Sequence, residues 1–237
     1  MADENTSRPP KETAGDHAHA LVRAGLGAIP FAGTAATELF NRVITPPLER
    51  RRDRWREAVG ERLQTLENAR AIDVQSLQEN EAFVTVVMQA SQAAMRNHNK
   101  EKLEALRNAV LNAALPHPPD ESLQQMFVNL VDEFTVWHLR LLHLFQNPLA
   151  WFETNNKEAP TFALSSSLSR LISAAYPELG QRGDLWQLMA NELNAKGLLS
   201  GSGLHTMMSA DGAFQKRTTD LGDQFIQFIT EPSIEDR

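Results

Sequence analysis

The feature that most constrains the fold is a seam of large apolar residues in the middle of the chain. Its members recur in alternating steps of four and three, the spacing at which side chains line one face of an α-helix. Burial of each such side chain contributes roughly 1.5 to 3 kcal/mol before conformational entropy is subtracted. The seam therefore predicts one central core helix, which begins after the N-cap residue Asp120 and stops at Asn147 and Pro148. Its residues are Leu123, Phe127, Leu130, Phe134, Trp137, Leu141 and Leu144.

Composition favours a globular protein and excludes several kinds of chemistry. The 237 residues are 42% hydrophobic, which is enough for one large core or two smaller ones. The formal net charge of -7 argues against broad electrostatic binding to nucleic acid. The chain has no cysteine, so disulfides, thiol chemistry and thiolate metal sites are excluded.

Residues 20–44 form an apolar segment that is rich in alanine and glycine. Alanine recurs every fourth residue from Ala20 to Ala36, which makes a ridge that another backbone can approach closely. Such ridges occur in membrane helices and in tightly packed soluble cores, so both explanations stay open. The uncharged stretch between Arg23 and Glu38 would extend about 21 Å, against roughly 30 Å of bilayer hydrocarbon. We therefore expect no simple transmembrane span.

A long helix is expected to begin at Thr45, because an N-cap residue there is followed by Pro46 and Pro47. Before it we expect a disordered tail (residues 1–19) and an Ala/Gly-rich apolar helical segment (residues 20–44). A helical body would then occupy residues 45–157. The apolar stripe of the long helix comprises Leu48, Trp55, Val59, Leu63 and Leu66.

The terminal part of the chain, residues 158–230, changes pattern to two short helices, a hairpin and a final helix, before a tail at residues 231–237. The hairpin is expected between strands at residues 204–209 and 213–218, with its turn at Asp211 and Gly212. This order resembles a winged-helix module, with DLWQLMANELNAKGLL in the place of the recognition helix and LHTMMSADGAFQKR as the wing. The expected fold class is therefore mainly α, a helical body followed by a small winged-helix-like α+β module.

The candidate wing contacts are Lys216 and Arg217. Winged-helix modules often bind DNA, but the recognition-helix candidate carries Asp184 and Glu192 against the single cation Lys196. Two wing cations can hold phosphates, but they do not read base edges. We therefore expect no sequence-specific DNA binding and favour a structural or protein-binding module.

The layout of the whole chain resembles bacterial helical proteins of the abortive-infection alpha type. The resemblance lies in RAGLGAIPFAG, followed by TPPLERRRDRW and ending in TDLGDQFIQFI. It implies a bacterial protein linked to phage defence, either cytoplasmic or peripheral at the inner membrane. No catalytic motif accompanies it.

The polar residues do not form a recognisable catalytic, cofactor or metal motif, so we expect no enzyme and no catalytic, cofactor-binding or metal-binding residues. His138 and His143 are five residues apart, which is not the spacing at which two helical side chains share a metal ion. The glycines near residue 25 do not match a phosphate-binding loop.

The dense basic region that follows the apolar segment is the main candidate contact. One explanation is an exposed helix whose arginines pair with the acids of the same helix, Glu49, Asp53, Glu57 and Glu61. The other is an anionic membrane surface that meets both the arginines and the apolar segment. The candidate membrane contacts are Leu26, Ile29, Phe31, Arg50, Arg51, Arg52, Arg54 and Arg56.

Taken together, these patterns predict a non-catalytic, defence-associated interaction or membrane-effector protein. The alternatives are a soluble helical scaffold or adaptor and a winged-helix DNA-binding regulator. We expect a protein partner or self-association, with an anionic membrane surface as a further partner.

Overall fold

The computed structural model describes residues 30–162, 165–180, 182–201 and 207–233. The chain divides into two compact units, Met1–Arg51 and Arg52–Arg237, and both contain part of the first helix. The mainly helical fold class is confirmed.

The helices are α1 (Pro30–Asn68), α2 (Val74–Leu77), α3 (Glu81–Arg96), α4 (Lys100–Ala113), α5 (Glu121–Glu133), α6 (Val136–Gln146), α7 (Pro148–Thr154), α8 (Leu168–Ala175), α9 (Gly183–Ala195), α10 (Ala210–Ala213) and α11 (Asp220–Ile229). A 3-10 turn (Pro177–Leu179) follows α8, and the strands are β1 (Ser165–Ser166) and β2 (Met208–Ser209).

Helix α1 does not begin at Thr45, so that prediction is wrong. It runs through Pro46 and Pro47, which have no N–H to donate to the carbonyls of Arg42 and Val43. Both of those residues are exposed, so water can bond the two carbonyls and the helix continues.

The later part of α1 carries the expected apolar stripe. Trp55, Val59 and Leu66 are buried in the core of the second unit, and Leu63 packs against that core. The indole Nε1 of Trp55 also donates to Ser91 Oγ of α3 at 2.9 Å. This stretch of α1 is therefore part of the folded body.

The centre of the body is a group of helices formed by α3, α4, α5 and α11. Phe127 of α5 is fully buried there, with its ring centroid 5.4 Å from Phe225 and 5.6 Å from Phe228. Two asparagine amides of α4 bond the carbonyl end of α11: Asn108 donates to Ile229 and Asn112 to Phe228, both at 3.0 Å. These side chains satisfy backbone carbonyls that a helix end would otherwise leave without donors.

The central seam is core, but it belongs to two helices rather than one. Asp120 caps α5 as expected, since its carboxylate accepts the N–H of Leu123 at 3.2 Å. The helix then stops at Glu133, because Phe134 is extended and Thr135 caps the next helix through a capping box with His138. The seam residues are nonetheless buried or packed on the core, and α6 ends before Asn147 as predicted.

The expected hairpin turn is wrong. Asp211 and Gly212 lie in the short helix α10, where Ser209 Oγ accepts the N–H of Gly212 at 3.1 Å. Strand β2 pairs antiparallel with β1, and a separate antiparallel bridge joins Leu199 to Thr218. The Asp-Gly pair does not form a hairpin turn here, because Ser209 caps one helical turn that contains both residues. Residues 204–206 of the expected first strand lie outside the described residues.

The end of α9 and the start of α11 approach each other closely. Thr219 N–H donates to the Leu198 carbonyl at 3.1 Å, and Thr219 Oγ1 accepts the N–H of Gly222 at 3.0 Å. A Cβ on Gly222 would lie 2.2 Å from the Leu198 carbonyl oxygen. The contact therefore requires a residue without a side chain at this position.

Candidate functional site

The first unit presents exposed side chains along the part of α1 whose side chains are described. Leu39 is 63% exposed and Val43 is 56% exposed. Their i, i+4 spacing places them on one face of the helix, and Arg50 falls on the same face. Arg42 and Arg50 are exposed as well. This stretch therefore combines apolar and cationic surface, and we call residues 37–51 the exposed arm.

The second unit contains the remaining arginines of the predicted contact. Arg52, Arg54 and Arg56 are exposed, while Trp55 between them is buried. Arg52 Nε lies 3.7 Å from Asp53 Oδ1, an exposed pair of the kind that contributes little to stability. The arginines of this stretch are therefore directed to solvent around a buried tryptophan.

The apolar part of the predicted membrane contact lies largely outside the described residues. This applies to Leu26, to Ile29 and to the side chain of Phe31. In the described part of the chain, no helix is both long enough and apolar enough to cross a bilayer.

The two candidate wing cations both bind acceptors within the chain. Lys216 forms an ion pair with Asp223, whose pKa is lowered chiefly by the hydrogen bonds from Lys216 and Thr218, against the opposing effect of burial. Arg217 turns back on α10, where its Nη2 donates to the Gly212 carbonyl at 2.7 Å. Lys216 and Arg217 are neighbours in the sequence, but they bind different acceptors within the chain.

A hydroxyl, an imidazole and a carboxylate lie in line at the start of α6. Thr135 Oγ1 is 2.9 Å from His138 Nδ1, and His138 Nε2 is 2.6 Å from Glu192 Oε2. The order resembles that of a hydrolase triad. However, the backbone N–H of Thr135 also donates to Nδ1 at 3.1 Å, so the lone pair of this nitrogen is engaged in closing the helix end. We interpret the group as a cap that ties α6 to α9.

A polar cleft of about 670 Å³ lies beside α6 and α7. Arg140 binds Glu101 through two nitrogens and lies 4.6 Å from the centre of the Trp137 ring. The Tyr176 hydroxyl donates to the Arg140 carbonyl at 3.0 Å. Lys157 Nζ is 5.6 Å from the centre of the Trp151 ring. The cleft is therefore lined by two cations, Arg140 and Lys157, and by the aromatic side chains of Trp151 and Tyr176.

Burial changes the ionisation of two groups in this cleft. It lowers the pKa of His143, with Glu101 opposing the change, so the imidazole is neutral at pH 7. Burial also raises the pKa of the Tyr176 phenol well above its ordinary value, despite the nearby Arg140. At neutral pH these side chains act as hydrogen-bonding groups without charge.

Sequence reasoning missed this cleft, because its residues come from separate helices and share no spacing. The tryptophans could only have suggested a core. Among the described residues, no cluster of three histidine, aspartate or glutamate side chains could hold a metal ion.

Comparison with known proteins gives no family for this chain. No protein-family model matches it, and no curated protein or solved structure matches it either.

Proposed function

We propose that this chain is a non-catalytic interaction protein that binds anionic membrane surfaces through the exposed arm of α1. One observation carries the proposal: Leu39 and Val43 are largely exposed beside exposed arginines. A helix that presents aliphatic and cationic side chains together can insert the first into the interface while the second meet lipid phosphates.

The charge distribution supports the same function. Residues 37–56 contain six arginines and three acids, although the whole chain carries a net charge of -7. Positive charge is thus concentrated in one stretch. Each basic residue near an anionic leaflet contributes about 1 kcal/mol of attraction, and salt screens that contribution.

Vesicle flotation tests the proposal. We expect the full chain to float with vesicles that contain phosphatidylglycerol, and to float poorly with vesicles of phosphatidylcholine alone. Changing Arg42, Arg50 and Arg51 together to Gln should lower partitioning by up to about 100-fold at low salt, since about 3 kcal/mol of attraction is removed. Val43→Asp should also lower it, because a carboxylate opposes insertion.

Leu188→Asp is the matched control, because Leu188 of α9 is 54% exposed and lies far along the chain from the exposed arm. This variant should float as the unchanged protein does. If the unchanged protein fails to float at any salt concentration, or if Leu188→Asp lowers flotation as much as Val43→Asp, the membrane proposal is wrong. The soluble helical scaffold or adaptor would then be the favoured function.

We also infer that residues 158–230 act as a winged-helix-like module that contacts protein rather than DNA. The bridge between Leu199 and Thr218 supports this, because it follows α9 as the base of a wing follows a recognition helix. The internal partners of Lys216 and Arg217 favour a protein contact over the DNA-binding regulator. The layout resemblance to abortive-infection alpha proteins extends the proposal to phage defence in a bacterium.

The polar cleft favours a second candidate function, the binding of a small organic anion. Arg140 and Lys157 have N–H groups beyond those that bond Glu101 and the Ala175 carbonyl. The ring of Trp151 in α7, whose centroid lies 5.0 Å from that of Tyr176, supplies an aromatic wall. A carboxylate or phosphate attached to a planar ring matches these groups.

Saturation-transfer NMR with benzoate and phenyl phosphate tests the cleft. We expect at least one probe to bind at millimolar concentration and Lys157→Met to weaken binding several-fold, because the variant keeps the length of the side chain but not its charge. Lys196→Met, which removes a cation paired with Glu133 elsewhere, should leave binding unchanged. Equal binding to the Lys157→Met and unchanged proteins would refute this candidate.

A further inference from the structure

A shallow apolar groove lies in the second unit, between the later part of α1, α2 and α3. Its volume is about 270 Å³. Phe83 forms part of its wall and is buried, whereas Val84 is 37% exposed and Met88 is 57% exposed. Leu63 and Leu77 complete the apolar surface from α1 and α2. The groove is therefore open to solvent although its walls are aliphatic and aromatic.

The stretch of chain that forms this groove is acidic. Residues 57–95 contain six acids and two arginines, and one of these arginines, Arg62, is paired with Glu231. Glu81 is exposed and lies three and seven residues before Val84 and Met88, so the three side chains share one face of α3. A helix that docks on this face would meet apolar residues first and a carboxylate next to them.

The exposed arm has the complementary chemistry. Leu39 and Val43 are an i, i+4 pair of exposed aliphatic residues, the arrangement by which an amphipathic helix fills an apolar groove. Arg42 is exposed beside them. Residues 37–56 carry six arginines and three acids, whereas residues 57–95 carry six acids and two arginines. Opposite charges of this kind steer association and set its orientation.

We propose that the groove of one copy binds the exposed arm of a second copy, with Leu39 and Val43 on Val84 and Met88 and with Arg42 near Glu81. The contact joins unlike faces of the two copies. The proposed contact between the two copies does not depend on membrane binding. If both occur, they compete, because each uses the same side chains of the exposed arm.

The absence of cysteine allows a specific cross-linking test. Two full-length variants, Val43→Cys and Met88→Cys, are prepared with different affinity tags, mixed in equal amounts and oxidised. We expect a mixed disulfide that carries both tags, at a yield several-fold above that of a control mixture of Val43→Cys with Leu188→Cys. Leu188 is a suitable control because its exposure of 54% is close to the 57% of Met88.

A charge exchange tests the orientation of the contact. Arg42→Glu in the first chain or Glu81→Arg in the second should lower the yield several-fold, and the two changes together should restore it. Equal yields for the Met88→Cys and Leu188→Cys mixtures would overturn the proposal. So would faster cross-linking of Met88→Cys with itself, because the groove would then face a second groove. Failure of vesicle flotation would leave this result unaffected, so the two proposals fail separately.

Discussion

Replacement of Gly222 by alanine is expected to destabilise the second unit by roughly 4 kcal/mol or more, which is an exceptionally large effect for a single substitution. The new Cβ would lie 2.2 Å from the Leu198 carbonyl oxygen, which is backbone and cannot rotate away. The start of α11 must then separate from the end of α9, and the bond from Thr219 N–H to Leu198 is lost. Urea unfolding followed by circular dichroism measures the change.

Gly60→Ala is the matched control for this substitution. Gly60 also lies in a helix, but a Cβ there would meet no atom within 4 Å. Alanine should therefore stabilise the protein by roughly 0.5 to 1 kcal/mol, because alanine loses less backbone entropy than glycine when it is fixed in a helix. If both variants are equally stable, the close approach of Gly222 to Leu198 does not exist. Thr219→Ala, a milder change at the same contact, provides a measurement if Gly222→Ala does not accumulate.

Phe134→Ala should cost about 3 to 5 kcal/mol, because apolar transfer energy is lost and a cavity remains. Phe134 is 2% exposed, although it lies in the break between α5 and α6. Its ring stacks on His138 with centroids 4.7 Å apart and lies 6.2 Å from Phe225. The free energy of unfolding from urea titration at pH 7 is the quantity to compare.

Leu149→Ala is the control for Phe134→Ala, because Leu149 is 49% exposed and its truncation removes little buried surface. Its effect should stay within about 1 kcal/mol. A negligible change for Phe134→Ala would mean that the break between α5 and α6 is not packed as described. The seam would then be a candidate partner surface rather than core.

The elements that were predictable from the sequence are those encoded by local signals. Asp120 is a helix cap with a short-range hydrogen bond, and α6 ends just before Asn147 and Pro148. The seam of apolar residues was sufficient to identify the core, because burial follows from periodicity. Phe225 and Phe228 were predictable for the same reason.

The features that could not be predicted depend on unusual local chemistry or on distant contacts. The break at Thr135 uses a histidine in the capping box, where glutamate or glutamine is the usual signal. The passage of α1 through Pro46 and Pro47 contradicts the local preference of proline. The polar cleft comes from helices far apart in sequence, and the groove depends on how α1, α2 and α3 pack together. The membrane contacts and the winged-helix-like module stay predictions.

The bond between Asn108 and Ile229 has a consequence for the folding of this protein during its synthesis. The two residues are 121 positions apart. The ring of Phe127 packs on Phe225 of the same C-terminal helix, so it stays partly uncovered until that helix has been synthesised. At about 5 to 20 residues per second, a ribosome needs roughly 6 to 24 s to synthesise that interval. During this time the nascent chain has α4 and α5 but not the helix that closes the core. The apolar surface that α11 covers in the folded protein is therefore exposed for that interval.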